Sequence, residues 1–283
     1  TGKYENVFNI AIKGNFDDCQ NLVKSMFADK QFSNDIKMSG VNSINWARII
    51  AQSVYYFYSY LSVEDASEPT NFSVPTGNFG DVYAGYLAKK MGLPIDKLIV
   101  ATNQNDILHR AISKGSYEAE KVSETISPSM DIQIASNFER LIFDLNNGDD
   151  QQTSLDMKNI KEKGQYLIND DKLNKISENF LSARMSEDET LEVIKKVYEK
   201  YSVVLDPHTA IGYGAFDKHN LKGNNIVLAT AHPCKFPDAV SKAINLKSDL
   251  PKELEFILNE KEDYDIIENN LEKIKNYITG KTK

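Results

Sequence analysis

Between Asn71 and Thr102 the sequence reads strand, tight loop, helix, strand, and no other stretch restricts the fold as much. Phe72-Ser73-Val74-Pro75 is the first strand, Thr76 to Gly80 the loop, and Asp81 to Met91 the helix. Gly92 with Pro94 stops that helix, and Lys97 to Thr102 forms the second strand. A helix connecting two strands in this way requires parallel pairing and a right-handed crossover. The fold class is α/β.

The flanking sequence adds elements of both kinds. Val7 to Ile12 is strand-like, and Asp17-Asp18 opens a helix carrying Leu22, Val23, Met26 and Phe27. Residues 33–43 read as a polar connector. Asn45 to Leu61 is apolar on nearly every face, which predicts a helix buried on most sides, its Tyr55–Tyr60 aromatics serving as packing. Helices are expected at Asp106–Lys114 and Asn137–Leu145, then a helical surface insertion at about 146–185. Ser186 and Glu189 form a capping box that opens a helix with Leu191, Ile194, Val197, Tyr198 and Tyr201 on one face. Strands are expected at Ser202–Leu205 and Asn225–Ala229, with a helix starting near Gly212 between them. From Pro251 the tail reads as one amphipathic helix with Leu254, Ile257, Ile266, Ile267, Leu271 and Ile274 as core positions.

Charge and composition narrow the function classes. With 33 Lys and Arg against 41 Asp and Glu the net charge is −8, and no basic cluster exists, which argues against nucleic acid or an anionic membrane as partner. No run approaches the roughly 18 apolar residues of a membrane-spanning helix. Two cysteines, Cys19 and Cys234, are too few for a disulfide framework and point to a reducing, cytoplasmic setting. The four histidines and two cysteines show no metal-ligand spacing, and no nucleophile elbow is present. The chain opens Thr1-Gly2-Lys3-Tyr4 without Met and soon enters an apolar run, so it is expected to begin inside a longer protein.

Two places carry chemistry. In Thr76-Gly77-Asn78-Phe79-Gly80-Asp81 two glycines three apart lead from a strand into a helix. Backbone N–H groups of the helix's first turn can then meet an anion, aided by the dipole. The spacing matches neither a nucleotide P-loop nor a dinucleotide fingerprint, so a compact monoester phosphate fits better; a purely structural turn fits as well. Asp81 would repel a phosphate, and a helix cap is its ordinary role. The second place is Thr230-Ala231-His232-Pro233, at the carboxyl end of a strand, where open α/β sheets bind ligands. Thr230 can present a hydroxyl to a heterocycle nitrogen or simply close the strand. Asp206-Pro207-His208-Thr209 is a similar strand-end cluster.

Several segments occur in the order found in one family: Gly14-Asn15-Phe16-Asp17-Asp18-Cys19-Gln20, Val41-Asn42-Ser43-Ile44-Asn45-Trp46-Ala47-Arg48, Val74 to Asp81, Ala88 to Pro94, Ala101 to Leu108, Ser136 to Leu141, Leu205 to Ala210, and Thr230 to Pro233. Through them the chain resembles the threonine synthases from near residue 7 to about residue 240. The resemblance implies a three-layer, open, mostly parallel sheet with helices on both faces, of the tryptophan-synthase-β-like fold type II that binds pyridoxal 5′-phosphate, incomplete at the N-terminus. Residues 1–40 would be the C-terminal part of a smaller domain and 41–283 the large cofactor domain.

The activity implied is conversion of O-phospho-L-homoserine and water to L-threonine and phosphate, the last step of threonine biosynthesis. Gly77, Asn78, Phe79, Gly80 and Asp81 would form the cofactor's phosphate loop. Thr230 would face the pyridine nitrogen, a neutral partner that does not hold it protonated. The family's Schiff-base lysine lies in a Phe-Lys-Asp segment that does not occur in these 283 residues. Lys13, Lys89 and Lys90 are candidates only by residue type. The resemblance therefore implies a C-terminal portion that is inactive alone, with no catalytic residue assigned and oligomeric state open. A related phospho-lyase acting on another phosphorylated amino acid, or a non-catalytic binding module, are the alternatives.

Overall fold

The structure, a computed structural model, describes residues 4–14, 16–43 and 45–282. Thr1 to Lys3 of the opening segment, and Asn15 and Ile44 of the ordered segments, lie outside the described residues, as do the side chains of Phe16, Asp17 and Gln20. Two compact units are present, Thr1–Gly40 with Leu250–Lys283, and Val41–Asp249. No helix among the described residues is long and apolar enough to cross a membrane.

The first unit begins with β1 (Ile10–Lys13), α1 (Phe16–Ala28) and α2 (Lys30–Asp35). The second contains α3 (Trp46–Leu61), β2 (Thr70–Pro75), α4 (Gly80–Lys90), β3 (Ile95–Thr102), α5 (Ile107–Lys114), β4 (Ser116–Glu118) and α6 (Phe138–Leu145). It continues through α7 (Asp150–Lys163), β5 (Gln165–Leu167), α8 (Asp170–Asn179), β6 (Phe180–Arg184), α9 (Glu187–Tyr201), α10 (Pro207–Asp217), β7 (Asn224–Val227) and α11 (Pro237–Ile244). The chain then returns to the first unit with β8 (Asp265–Glu268) and α12 (Leu271–Lys281).

In the larger unit a parallel sheet of order β6-β3-β2-β7 forms the middle layer. Along β3 the residues alternate in destination, as the two-residue repeat of a strand requires. Leu98 and Val100 join a cluster with Tyr56, Val82, Ile107, Phe138 and Ile176 on one face. Ile99 and Ala101 join Val193, Ile194, Val197, Ala210 and Ile211 on the other. Every residue of β2 is buried. A strand covered on both faces has no solvent side to show in sequence, so β3 reads as an apolar run from Leu98 to Ala101, and in β2 even the polar Thr70, Asn71 and Ser73 are buried.

Four expectations are corrected. Residues 180–184, assigned to a surface insertion, form β6, an edge strand of the main sheet paired with β3, with Phe180 and Ala183 buried. Ser182 and Arg184 interrupt its apolar character, and an edge position tolerates that. Ser202–Leu205 forms no strand: Ser202 (φ 57°) ends α9 in the left-handed region and the chain leads into α10. α3 is not buried on most sides: Ile49, Ser53 and Tyr56 are buried and Phe57 and Tyr60 pack partly against the core, while Val54, Tyr55, Tyr58 and Leu61 are exposed. The tail is not one helix belonging with the large domain. β8 pairs in parallel with β1, α12 packs Ile274 on Leu22 and Met26 of α1, and Leu254, Ile257 and Ile266 are exposed.

The capping box at α9 has both arms, the Glu189 N–H donating to Ser186 Oγ (3.2 Å) and the Ser186 N–H to Glu189 Oε2 (2.7 Å). Ser186→Ala is expected to lower the unfolding free energy by about 1 kcal/mol, read from urea denaturation. An unchanged midpoint would show that the cap contributes nothing here. The buried stripe of α9 is Thr190, Val193, Ile194 and Val197, while Tyr201 is exposed.

Candidate functional site

The carboxyl end of β2 turns directly into the glycine loop. Thr76 N–H donates to Ala101 O (2.8 Å), keeping the loop's start in register with β3. Phe79 then adopts φ 66°, ψ 2°, a left-handed conformation that is costly for a bulky residue. Its ring explains how that conformation is held. Phe79 is fully buried, edge-on to Phe138 at 5.2 Å between centroids and tilted against Phe180 at 5.9 Å. The side chain therefore belongs to the core, and what Phe79 offers the loop is backbone.

Close packing accounts for the two glycines. A Cβ on Gly77 would lie 2.6 Å from the Ser129 carbonyl oxygen, and one on Gly80 would lie 3.1 Å from Ile49 Cδ1. Asn78 between them is held by hydrogen bonds. Its Oδ1 accepts from Ser136 Oγ (3.2 Å) and its carbonyl accepts from the Asn137 N–H (3.1 Å). Asn137, fully buried, also donates through Nδ2 to the Ser43 carbonyl (2.8 Å).

α4 starts with no side chain capping its first turn. The expectation that Asp81 serves as that cap is thus corrected. Its Oδ1 instead accepts from the hydroxyl of buried Tyr56 (3.2 Å), which also donates to the Asp81 carbonyl (2.8 Å). Burial raises the Asp81 carboxyl to about 6, with the Tyr56 hydroxyl offsetting part of the rise. The helix thus exposes unpaired N–H groups beside a carboxyl that is neutral in mild acid.

Two cavities meet here. A small one of about 130 Å³ is lined by the glycine loop together with Ser43, Arg48, Ile49 and Gln52. A larger one of about 570 Å³ is lined by Gln52, Tyr55, Tyr58, Asp81 and the segment Ile226 to Thr230. Gln52 and Asp81 line both, so the glycine loop and Thr230 border adjoining spaces. Thr230 is exposed, and its N–H donates to Thr209 Oγ1 (3.2 Å). Ser43, Arg48 and Gln52, to which the sequence assigns no site role, join the loop only in the folded structure. Tyr55 and Tyr58, expected to pack, form a cavity wall.

The other candidates lie elsewhere. His232 Nδ1 accepts from the Cys234 N–H (3.2 Å) and caps a short turn. Lys13 pairs with Glu268 (2.6 Å) in the first unit. Lys89 donates to the Asp96 carbonyl (2.9 Å) and Lys90 pairs with Asp144 (3.2 Å). None of the three lysines lines either cavity.

Known proteins of one family resemble the chain in sequence and in fold. A family model described as "Threonine synthase, C-terminal" matches residues 209–278. Threonine synthase of Pseudomonas aeruginosa is 44% identical over 97% of this chain, which spans 59% of that protein. The structure of threonine synthase from Brucella melitensis with bound pyridoxal phosphate superposes with a TM-score of 0.93 at 46% identity, covering 99% of this chain and 61% of that one. Yeast threonine synthase superposes with a TM-score of 0.88 at 43% identity, covering 98% and 60%. The chain thus spans about three fifths of the relatives it matches.

Proposed function

Since the chain belongs to the threonine synthase family, we propose that it supplies the phosphate loop and the pyridine-facing wall of a pyridoxal 5′-phosphate site that converts O-phospho-L-homoserine and water to L-threonine and phosphate. The observation that carries this reading is the uncapped start of α4 opening into a cavity that adjoins a second one ending at Thr230. When bound, the cofactor supplies an electron sink for carbanion chemistry on the amino acid.

The chain's own residues then have separable tasks. Backbone N–H groups at Asn78, Phe79 and Gly80 meet the phosphate, favoured by the helix dipole. No net positive charge is required for that, in keeping with an overall charge of −8. Asp81, protonated in mild acid, withdraws a repulsive charge from beside the anion. Arg48 places a guanidinium in the wall of the loop cavity, suited to a second phosphate group such as the substrate's. Thr230 presents its hydroxyl toward the ring nitrogen. None of these groups takes a proton from substrate carbon; the tasks here are binding and orientation.

The binding half of the reading is tested with pyridoxine 5′-phosphate, which lacks the aldehyde and so needs no lysine. Calorimetry is expected to give at least tenfold tighter binding than for pyridoxine, since a phosphate at a helix N-terminus gains charge-assisted hydrogen bonds of roughly 1.5–3 kcal/mol each. Equal affinities would remove the phosphate loop. The reaction is tested on a protein carrying this chain together with the segment that precedes it in the relatives, with threonine and phosphate expected in equal amounts from O-phospho-L-homoserine. Release from a different phosphorylated amino acid alone would favour the related phospho-lyase.

A further inference from the structure

The Asp206-Pro207-His208-Thr209 turn at the start of α10 touches neither cavity, yet three of its side chains are polar and buried, at 1%, 4% and 6% exposure for Asp206, His208 and Thr209. Burying so many polar groups is costly unless each is paired, and here each is. Asp206 Oδ1 accepts from the His208 N–H (2.9 Å) and lies 3.0 Å from His208 Nδ1. Its Oδ2 accepts from Thr209 Oγ1. Burial pushes the Asp206 carboxyl up, but the hydrogen bonds from His208 and Thr209 outweigh it and hold the group below its ordinary range.

The far ends of the two arms are the informative part. The Ser129 N–H donates to His208 Nε2 (3.3 Å). A backbone N–H can only donate, so Nε2 is unprotonated and the imidazole proton sits on Nδ1, toward Asp206. The carbonyl of the same Ser129 is the atom that a Cβ on Gly77 would strike. On the other arm, Thr209 Oγ1 gives its proton to Asp206 and accepts the Thr230 N–H (3.2 Å). One buried carboxylate is therefore connected through His208 to the backing of the glycine loop and through Thr209 to the pyridine-facing residue.

We propose that Asp206, His208 and Thr209 act as a positioning relay that sets the spacing between the phosphate loop and Thr230. Only a ligand occupying both places senses that spacing. The relay consequently discriminates for a phosphate-bearing heterocycle over phosphate alone. This proposal rests on the cofactor reading given above, and the experiment separates the two. A lost hydrogen bond that locates a contact group costs about tenfold in affinity at most.

The test compares wild type, Thr209→Val and Thr209→Ser by calorimetry with pyridoxine 5′-phosphate and with inorganic phosphate. Amide hydrogen exchange at Ser129 and Thr230 is followed in the same proteins. Thr209→Val is expected to weaken pyridoxine 5′-phosphate about tenfold while leaving inorganic phosphate unchanged, and to lower protection of the Thr230 amide but not of Ser129. Thr209→Ser, which retains the hydroxyl, is expected to restore both. His208→Phe is expected to do the reverse, releasing Ser129 and sparing Thr230. Equal weakening of both ligands by Thr209→Val, or unchanged Thr230 protection, would overturn the relay. If the wild type binds both ligands equally, the cofactor reading fails, and the exchange pattern still decides whether Asp206 holds the two segments.

Discussion

Phe79→Ala is expected to lower the unfolding free energy by about 3–5 kcal/mol, the range for removing a fully buried aromatic ring. Phe79 is fully buried and packs on Phe138 and Phe180, so truncation leaves a void between α4, α6 and β6. The loss should not end with stability. The ring anchors a residue at φ 66°, and without it the backbone relaxes toward the ordinary region and carries the loop's N–H groups with it. Pyridoxine 5′-phosphate affinity should fall as well. Phe79→Leu retains most of the buried volume and should cost less than about 1.5 kcal/mol. Denaturant unfolding checks both. A change below about 1 kcal/mol for the alanine variant would place the ring outside the core and return it to the ligand side, where the family resemblance alone had put it.

Asp81→Asn is expected to stabilise the protein at pH 8 by about 2 kcal/mol and to leave it nearly unchanged at pH 4. The sign follows from the direction of the shift. Burial raises the folded carboxyl from 3.8 to about 6, so the folded state favours the protonated form. That preference is fully available below the unfolded value and is lost as pH rises through the folded one. A shift of about two units corresponds to roughly 3 kcal/mol at about 1.4 kcal/mol per unit, and water in the adjoining cavities reduces it. Asn imitates the neutral acid and still accepts the Tyr56 hydroxyl, now 3.2 Å from Oδ1. Urea unfolding of both proteins from pH 4 to 8 measures the difference, which should grow through pH 6. A difference independent of pH would mean that the carboxyl titrates normally.

Legibility followed the range of the interactions. The β2–α4–β3 unit was readable because its signals are local: a short segment ending in Val74-Pro75, two glycines, a helix stop and an apolar run within about 30 residues. The capping box at Ser186 was readable for the same reason. β6 was not, since Phe180-Leu181-Ser182-Ala183-Arg184 becomes a strand only because β3 offers it an edge. The tail does not show its strand, because β8 pairs with β1 some 255 residues away and no pattern inside the tail encodes that partner. In α3 the apolar residues outnumber the positions that the core accepts. Sequence shows their abundance, while packing decides that Ile49, Ser53 and Tyr56 turn inward.

The candidate site divides along the same line. By itself the sequence determined a parallel α/β unit with a glycine loop at a helix start, because steric limits on glycine and the two-residue strand repeat act within a few residues. Through its ordered motifs it also pointed to a phosphate-bearing cofactor. Tertiary structure alone decided what each loop residue contributes. It turned Phe79 into the core, gave Asp81 to Tyr56 instead of the helix N-terminus, and set the Ser129 carbonyl where only Gly77 leaves room. It also joined Ser129 and Thr230, about 100 residues apart, through one buried carboxylate. A buried charge must be paired wherever the fold brings partners to it, and that requirement acts in space, where sequence spacing carries no record of it.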